Sequence, residues 1–339
     1  MKQIIHNIHK INILILLYFL IYQNLSSKII EVNENGEYQS LSDAASIAQP
    51  GDSIIFRAGV YSGGDYISNL KGTSEKWITI TSPENEYVLF SGGSTAFQLS
   101  DPEYLLIRNL NFEGQSANGV NIDDGGSYDT PAKHIKIRNC HWNTMNATGN
   151  NDMLKMSGVD NFIMERCSFT NGSPGGSGVD MVGCHNGQII SNKFQNQGSN
   201  SIQAKGGTSN INIERNLFVN GGARSINIGG STGLQYFRPI DAQYEASHIF
   251  VYSNIFINST APIAFVGAVN CEVINNLLYL PDKWAIRILQ ESTDARFIQC
   301  GDNKFINNII YITNAAAAPS INIGPDRKST RLNSSHRIR

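Results

Sequence analysis

Apolar and polar positions in this chain alternate over short runs, and one phrase of that alternation recurs. A strand of alternating apolar residues is followed, in most copies, by Asn or Cys, then one residue, then an aromatic or aliphatic side chain. The phrase appears as IRNLNF ending at Phe112, IRNCHW at Trp142, MERCSF at Phe169, IISNKF at Phe194 and IERNLF at Phe218. It returns as VYSNIF at Phe256, VINNLL at Leu278 and FINNII at Ile310, at successive spacings of 30, 27, 25, 24, 38, 22 and 32 residues. Each copy is followed by a second short strand: GVNIDDG, MLKMSG, GVDMVG, SIQAKGG, SINIGG, PIAFVG, AIRILQ and SINIG. Repeats of this length, built from short strands without helical periodicity, predict an all-β solenoid whose coils stack at about 4.8 Å.

Aligning the copies places Asn192, Asn216, Asn254, Asn276 and Asn308 in one column, with Cys140 and Cys167 in the same column earlier. An inward stack of Asn satisfies backbone groups at a corner, and Gly and Asn tolerate the positive φ that corners need. These Asn read as scaffold. Upstream, SLSDAASIAQPGDSIIFRAGVYSG predicts a short amphipathic helix near Leu41 to Ala48, a turn at Pro50-Gly51 and a strand from Ser53 to Phe56. Such a helix would cap the open end of the first coil.

Strand alternation assigns faces to the second strand of each coil. Val120, Leu154, Val179, Ile202, Ile226, Ile263 and Ile286 are expected inward, which turns Asn121, Lys155, Asp180, Gln203, Asn227, Ala264 and Arg287 outward. A second outward column runs through Asp123, Ser157, Val182, Lys205, Gly229, Val266 and Leu289. Asp180, Gln203, Asn227 and Arg287 therefore form a polar floor suited to a sugar chain, or an ordinary solvated sheet face. The coil after Phe218 is longer than its predecessors, and the excess lies at Gly229 to Ser247, GGSTGLQYFRPIDAQYEAS. An excursion beside the polar face would wall a groove, with Tyr236 and Tyr244 offering ring faces to sugars.

The two ends change the charge picture. Met1 to Ser27 reads as a secretory leader, with a weakly basic start and the apolar run Ile11 to Tyr22, too short to span a bilayer comfortably. Asp326 to His336, DRKSTRLNSSH, reads as a translated sequencing adapter followed by Arg337 to Arg339, so the fold is expected over Lys28 to Pro325 and the gene to continue beyond it. Setting both ends aside leaves 19 of 26 basic and 27 of 28 acidic residues, a net of −8. That balance excludes bulk electrostatic binding of nucleic acid, and an anionic substrate would need a local basic patch. The expectation is a secreted or periplasmic monomer without stable membrane insertion. Cys140, Cys167, Cys184, Cys271 and Cys300 include no C-x-x-C pair, so they read as buried apolar side chains.

AQPGDSIIFRAGVYSG followed by Asn-rich coils resembles the pectin-lyase-like right-handed parallel β-helix superfamily, and the opening together with SIQAKGG is most similar to polysaccharide lyases of the alginate lyase and chondroitinase B type. The resemblance implies a right-handed parallel β-helix acting on an acidic polysaccharide. It implies that Lys205 abstracts the C5 proton of a uronate, assisted by an arginine about one coil on. Here the family's arginine-bearing strand reads INIGG, with Gly229 in the slot, so Arg224 at the strand start and Arg238 in the excursion stand as the substitutes. β-Elimination needs the carboxylate neutralised, a base, and a proton for the leaving oxygen. Many such lyases hold calcium, but no spacing motif supports it here, and Asp180, Asp241 and Glu245 are only possible oxygen ligands. No cofactor is established. Two other functions fit the same scaffold. A glycoside hydrolase would need Asp180 paired with Asp241 or Glu245, and a non-catalytic carbohydrate-binding solenoid would use the polar face alone.

Overall fold

A computed structural model describes residues 27–127, 129–313 and 321–324. The leader before Ser27 and the segment read as an adapter lie outside the described residues. Each turn of the chain contributes one strand to each of three sheets, and every pairing is parallel. The register repeats without slippage: Val120, Leu154, Val179, Ile202, Ile226, Ile263 and Ile286 face one another across successive coils. All seven are buried, so the inward column is the one that alternation predicts. The chain is a parallel β-helix.

Two repeating contacts hold the coils in register. The aromatic position of the phrase becomes an internal stack of Phe112, Trp142, Phe169, Phe194, Phe218 and Phe256, with ring centroids 4.6–5.1 Å apart. Such spacing follows from the strand separation, because identical side chains in register meet one sheet spacing apart. Beside it runs the buried Asn ladder. Asn216 Nδ2 donates to Ile189 O at 2.9 Å and to Asn254 Oδ1 at 3.0 Å, while Asn216 Oδ1 accepts from Asn192 N at 2.8 Å. The ladder continues through Asn276 and Asn308, and it starts where Asn192 Oδ1 accepts from Cys167 N at 2.8 Å. The residue before each ladder position adopts a left-handed φ even where it is Arg166, Ser191, Arg215 or Ser253. The ladder thus holds a corner that these residues would disfavour by themselves. All five cysteines are free, four of them buried.

The capping helix is shorter than expected, Leu41–Ala45. Ser40 and Asp43 form a reciprocal capping box, and Leu41 and Ala44 are buried against the first coil. Asp65, on the first strand of the sheet that carries the polar face, also accepts from Leu41 N and Ser42 N at 3.1 and 3.3 Å.

Truncating the ladder should cost far more than truncating the exposed Asn row at the next corner. Asn216→Ala leaves a buried carbonyl and a buried N–H without partners and should lower unfolding stability by about 2–5 kcal/mol. Asn196→Ala, in the solvent-exposed row that links Asn171 to Asn220, should cost about 1 kcal/mol. Chemical denaturation of both variants checks the difference.

Candidate active site

The outward face of the second sheet carries the columns that alternation predicts. Tyr66, Gln98, Asn121, Lys155, Asp180 and Gln203 form one, and Ser68, Ser100, Asp123, Ser157, Val182 and Lys205 form the other. Over them lies a trough of about 760 Å³. Its floor includes Gln98, Asp123, Lys155 and Lys205, and its wall includes Ser231, Thr232, Tyr236 and Arg238.

At the floor, two lysines converge on one carboxylate. Asp180 is fully buried, and its Oδ2 accepts from Lys155 Nζ and lies 3.2 Å from Lys205 Nζ. Asp152 completes the cluster. Its Oδ2 lies 3.7 Å from Lys155 Nζ, and its Oδ1 accepts from Ser177 N at 2.8 Å. Burial opposes the charge on Lys155, but the carboxylates of Asp180 and Asp152 outweigh it and raise its pKa. Burial, with the nearby charge of Asp180, pushes the Asp152 carboxyl up to about 7.

The wall is the excursion Gly229 to Ser247, and carboxylates fasten it at two points. Glu245 is fully buried, and it accepts from Gly206 N at 3.0 Å, Thr232 N at 2.9 Å, Thr232 Oγ1 at 2.7 Å and Ser292 Oγ. Arg238 reaches back to Asp160 through Nη1 at 2.7 Å and Nη2 at 2.9 Å, a bidentate pair, and donates to Gly183 O at 2.9 Å. His185 Nδ1 stands 3.1 Å from the same Asp160 oxygen. Burial works against the Asp160 charge, but Arg238 and then His185 overcome it and lower its pKa to about 2. The glycines that punctuate this face make room for the excursion. A Cβ on Gly207, at φ +87°, would sit 2.4 Å from Arg238 O, and one on Gly183, at φ +60°, would sit 2.6 Å from Arg238 Cβ. Phe237 turns inward and packs on Phe297, whereas Tyr236 stays exposed.

The structure therefore brings Lys205, Asp180, Tyr236 and Arg238 to one place. The other candidates are placed elsewhere. Arg224 donates to Asn227 Oδ1 at 3.2 Å and pairs with Glu291 at 2.8 Å, and neither Arg224 nor Asn227 lines the trough. Arg287 lies against Trp284 and donates to Asn322. Gln203 and Tyr244 also lie outside the lining. Glu245 is committed to four hydrogen bonds and Asp180 is covered by two lysines, so this pair does not offer a hydrolase two carboxylates facing a common substrate. Among the described residues no three His, Cys, Asp or Glu side chains converge as a cation would require. At Asp180, ammonium groups occupy the position beside the buried carboxylate that a calcium ion would need.

Sequence reasoning placed Lys155 on the outward face but passed over it. The signal was the column itself, where Lys155 stands one coil from Asp180. Asp152, Asp160 and His185 gave no comparable signal, since Asp160 meets Arg238 across 78 residues.

Residues 95–278 match the family described as "Right handed beta helix region". The chain belongs to that family. No curated protein sequence matches this β-helix chain. Among solved structures it resembles an alginate lyase from Paenibacillus sp. str. FPU-7, with a TM-score of 0.61 and 17% identity over 87% of this chain and 97% of that one. It also resembles pectate lyase Pel9A, with a TM-score of 0.55 and 13% identity over 90% and 82% of the two chains. An endo-xylogalacturonan hydrolase from Aspergillus tubingensis gives a TM-score of 0.56 and 11% identity over 87% and 88%. At these identities the likeness establishes the β-helix fold, which hosts both eliminating and hydrolysing enzymes. No helix among the described residues is long and apolar enough to cross a membrane.

Asp152 should leave a signature in stability against pH. Its folded pKa of about 7 lies above the ordinary carboxylate value, so the folded state holds a proton that the unfolded state releases. Its contribution is full below the unfolded value and declines as pH rises from about 4 to about 7, at up to about 1.4 kcal/mol per pH unit. Asp152→Asn keeps the acceptor for Ser177 N and should flatten the wild-type slope over that window, measured by denaturant unfolding at stepped pH.

Proposed function

We propose that this β-helix protein is a polysaccharide lyase that cleaves a uronate-containing chain by β-elimination. The observation that carries the reading is the pair of lysines on the trough floor, standing together in a body of net negative charge beneath a wall bearing an aromatic ring. A uronate carboxylate lying over Lys155 meets a cation that its neighbours keep charged. Neutralising that carboxylate acidifies the C5 proton and stabilises the enediolate-like transition state. Lys205, in its unprotonated form, removes the C5 proton. The freed electron pair forms the C4–C5 double bond, and the glycosidic C4–O bond breaks. The leaving oxygen takes a proton from the site, for which the exposed Tyr236 hydroxyl in the wall is the candidate donor. Arg238 lines the trough while bound to Asp160, so its role is to hold the wall and lend positive potential. The leader reading makes the expected location secreted or periplasmic, and the partner an acidic polysaccharide.

Purified protein should release ultraviolet-absorbing unsaturated uronides from at least one uronate polymer. Lys205→Ala should lower that rate by about a hundred- to ten-thousandfold, with unchanged circular dichroism. New reducing ends without unsaturated product would show hydrolysis instead, and polymer retention without turnover, indifferent to Lys205→Ala, would show a binding module. Either result ends the lyase reading.

A further inference from the structure

We propose that the trough selects a copolymer, with a uronate over the lysines and an uncharged, hydroxyl-rich sugar over Asp123 and Asp124, in preference to a homopolyuronate. This rests on the same trough serving as the site of the lyase reading above.

The floor changes sign along the helix axis. The strands Asp65–Ser68, Phe97–Ser100, Val120–Asp123, Leu154–Ser157, Ser177–Val182 and Asn200–Lys205 lie side by side in that order. Five strand spacings amount to about 24 Å, enough for an oligosaccharide of several rings. Lys155 and Lys205 line the trough on later strands and Tyr66, Gln98, Ser100 and Asp123 on earlier ones, with the sign changing between the neighbouring strands of Lys155 and Asp123, where Arg238 also faces Asp124. Asp123 and Lys205 share one outward column, three coils or about 14 Å apart.

The acidic end offers amide and hydroxyl groups to a sugar and sets negative charge against an incoming anion. Four donors hold Asp123: Gln98 Nε2 at 2.7 Å, Ser100 Oγ at 2.7 Å, Asn121 Nδ2 at 3.1 Å and Gly125 N at 3.0 Å. All four are uncharged, so they orient the carboxylate without cancelling its charge. Asp124 adds a second carboxylate, itself held by Gly126 N at 2.9 Å. Burial already disfavours the charged form of Asp124, with Arg238 acting in the other direction, and another anion alongside would add to that cost. Oriented carboxylates beside amide and hydroxyl groups suit the vicinal hydroxyls of a neutral or N-acetylated sugar, and the exposed Tyr66 supplies a ring face at the end of the row. A homopolyuronate would carry one carboxylate to the lysines and lay another against Asp123. A chain in which uronates alternate with uncharged sugars meets the row with matching chemistry. Discrimination then comes from repulsion at one end as much as from attraction at the other.

The test compares kcat/KM at fixed low ionic strength on two polymer classes. Unsulfated chondroitin, hyaluronan and gellan carry uronates among uncharged sugars, whereas alginate and polygalacturonate are homopolyuronates. The expected result is about a tenfold or greater preference for at least one copolymer. Asp123→Asn should raise the value on homopolyuronates by about two- to eightfold, the range expected for removing one unit charge about 14 Å from Lys205, and should narrow the preference. Asp124→Asn, which leaves the donors around Asp123 in place, serves if Asp123→Asn does not fold. Turnover with equal or greater activity on homopolyuronates, or a preference unchanged in both variants, overturns the selectivity and leaves the lyase reading standing. If no polymer yields unsaturated product, the lyase reading fails instead. The selectivity is then read from dissociation constants by affinity electrophoresis on the same polymers, where a flat order overturns it and tighter copolymer binding upholds it.

Discussion

Everything in this molecule depends on one constraint: parallel strands stacked in fixed register, so that each residue sits directly above its counterpart in the previous coil. The constraint converts sequence spacing into spatial neighbours one strand separation apart. It makes an aromatic position into the continuous stack from Phe112 to Phe256 and an Asn position into a hydrogen-bonded ladder. A slip of one residue in any coil would turn its inward side chains to solvent and break the stack and the ladder together. The two interior columns therefore keep the register of the exterior ones, and the exterior ones carry the candidate site.

The lysine cluster shows this directly. Lys155, Asp180 and Lys205 lie on consecutive strands of one sheet and meet because those strands are in register. Taking Asp180 out of water is costly unless cations cover it, and two ammonium groups do so from neighbouring coils. Asp152, near the same cations and half-committed to a proton near neutrality, adjusts the local charge without contacting the trough.

The fold was legible in the sequence because a solenoid writes its period openly. The inward column, the outward columns and the Asn ladder all followed from alternation and spacing. The helix cap was legible in kind, though it ends at Ala45, after which the backbone tightens into turns with Ile47 N donating to Ala44 O and Ala48 N to Ala45 O at 3.4 Å. The site was legible as far as the columns reach, which covers Lys205 and Asp180, and Lys155 on the same reasoning. It stopped being legible at the excursion. Nothing local to Arg238 says that it returns to Asp160, or that Glu245 gathers donors from Gly206, Thr232 and Ser292. Arg224 illustrates the same limit, because its partner Glu291 lies 67 residues away. Contacts between coils can be read from the period, whereas contacts made by a segment that leaves the period cannot.

The fastening of the excursion by Asp160 and Glu245 has a consequence for how a polymer would be received. A wall tied to the half-buried Asp160 and the buried Glu245 is already in place before any guest arrives, so the protein loses little freedom on association. The ordering penalty then falls on the guest, whose linkages must give up their torsional mobility along the groove. Stiff chains with few accessible glycosidic rotamers would surrender less than supple ones of the same composition. Persistence length would therefore rank guests that charge alone leaves equal.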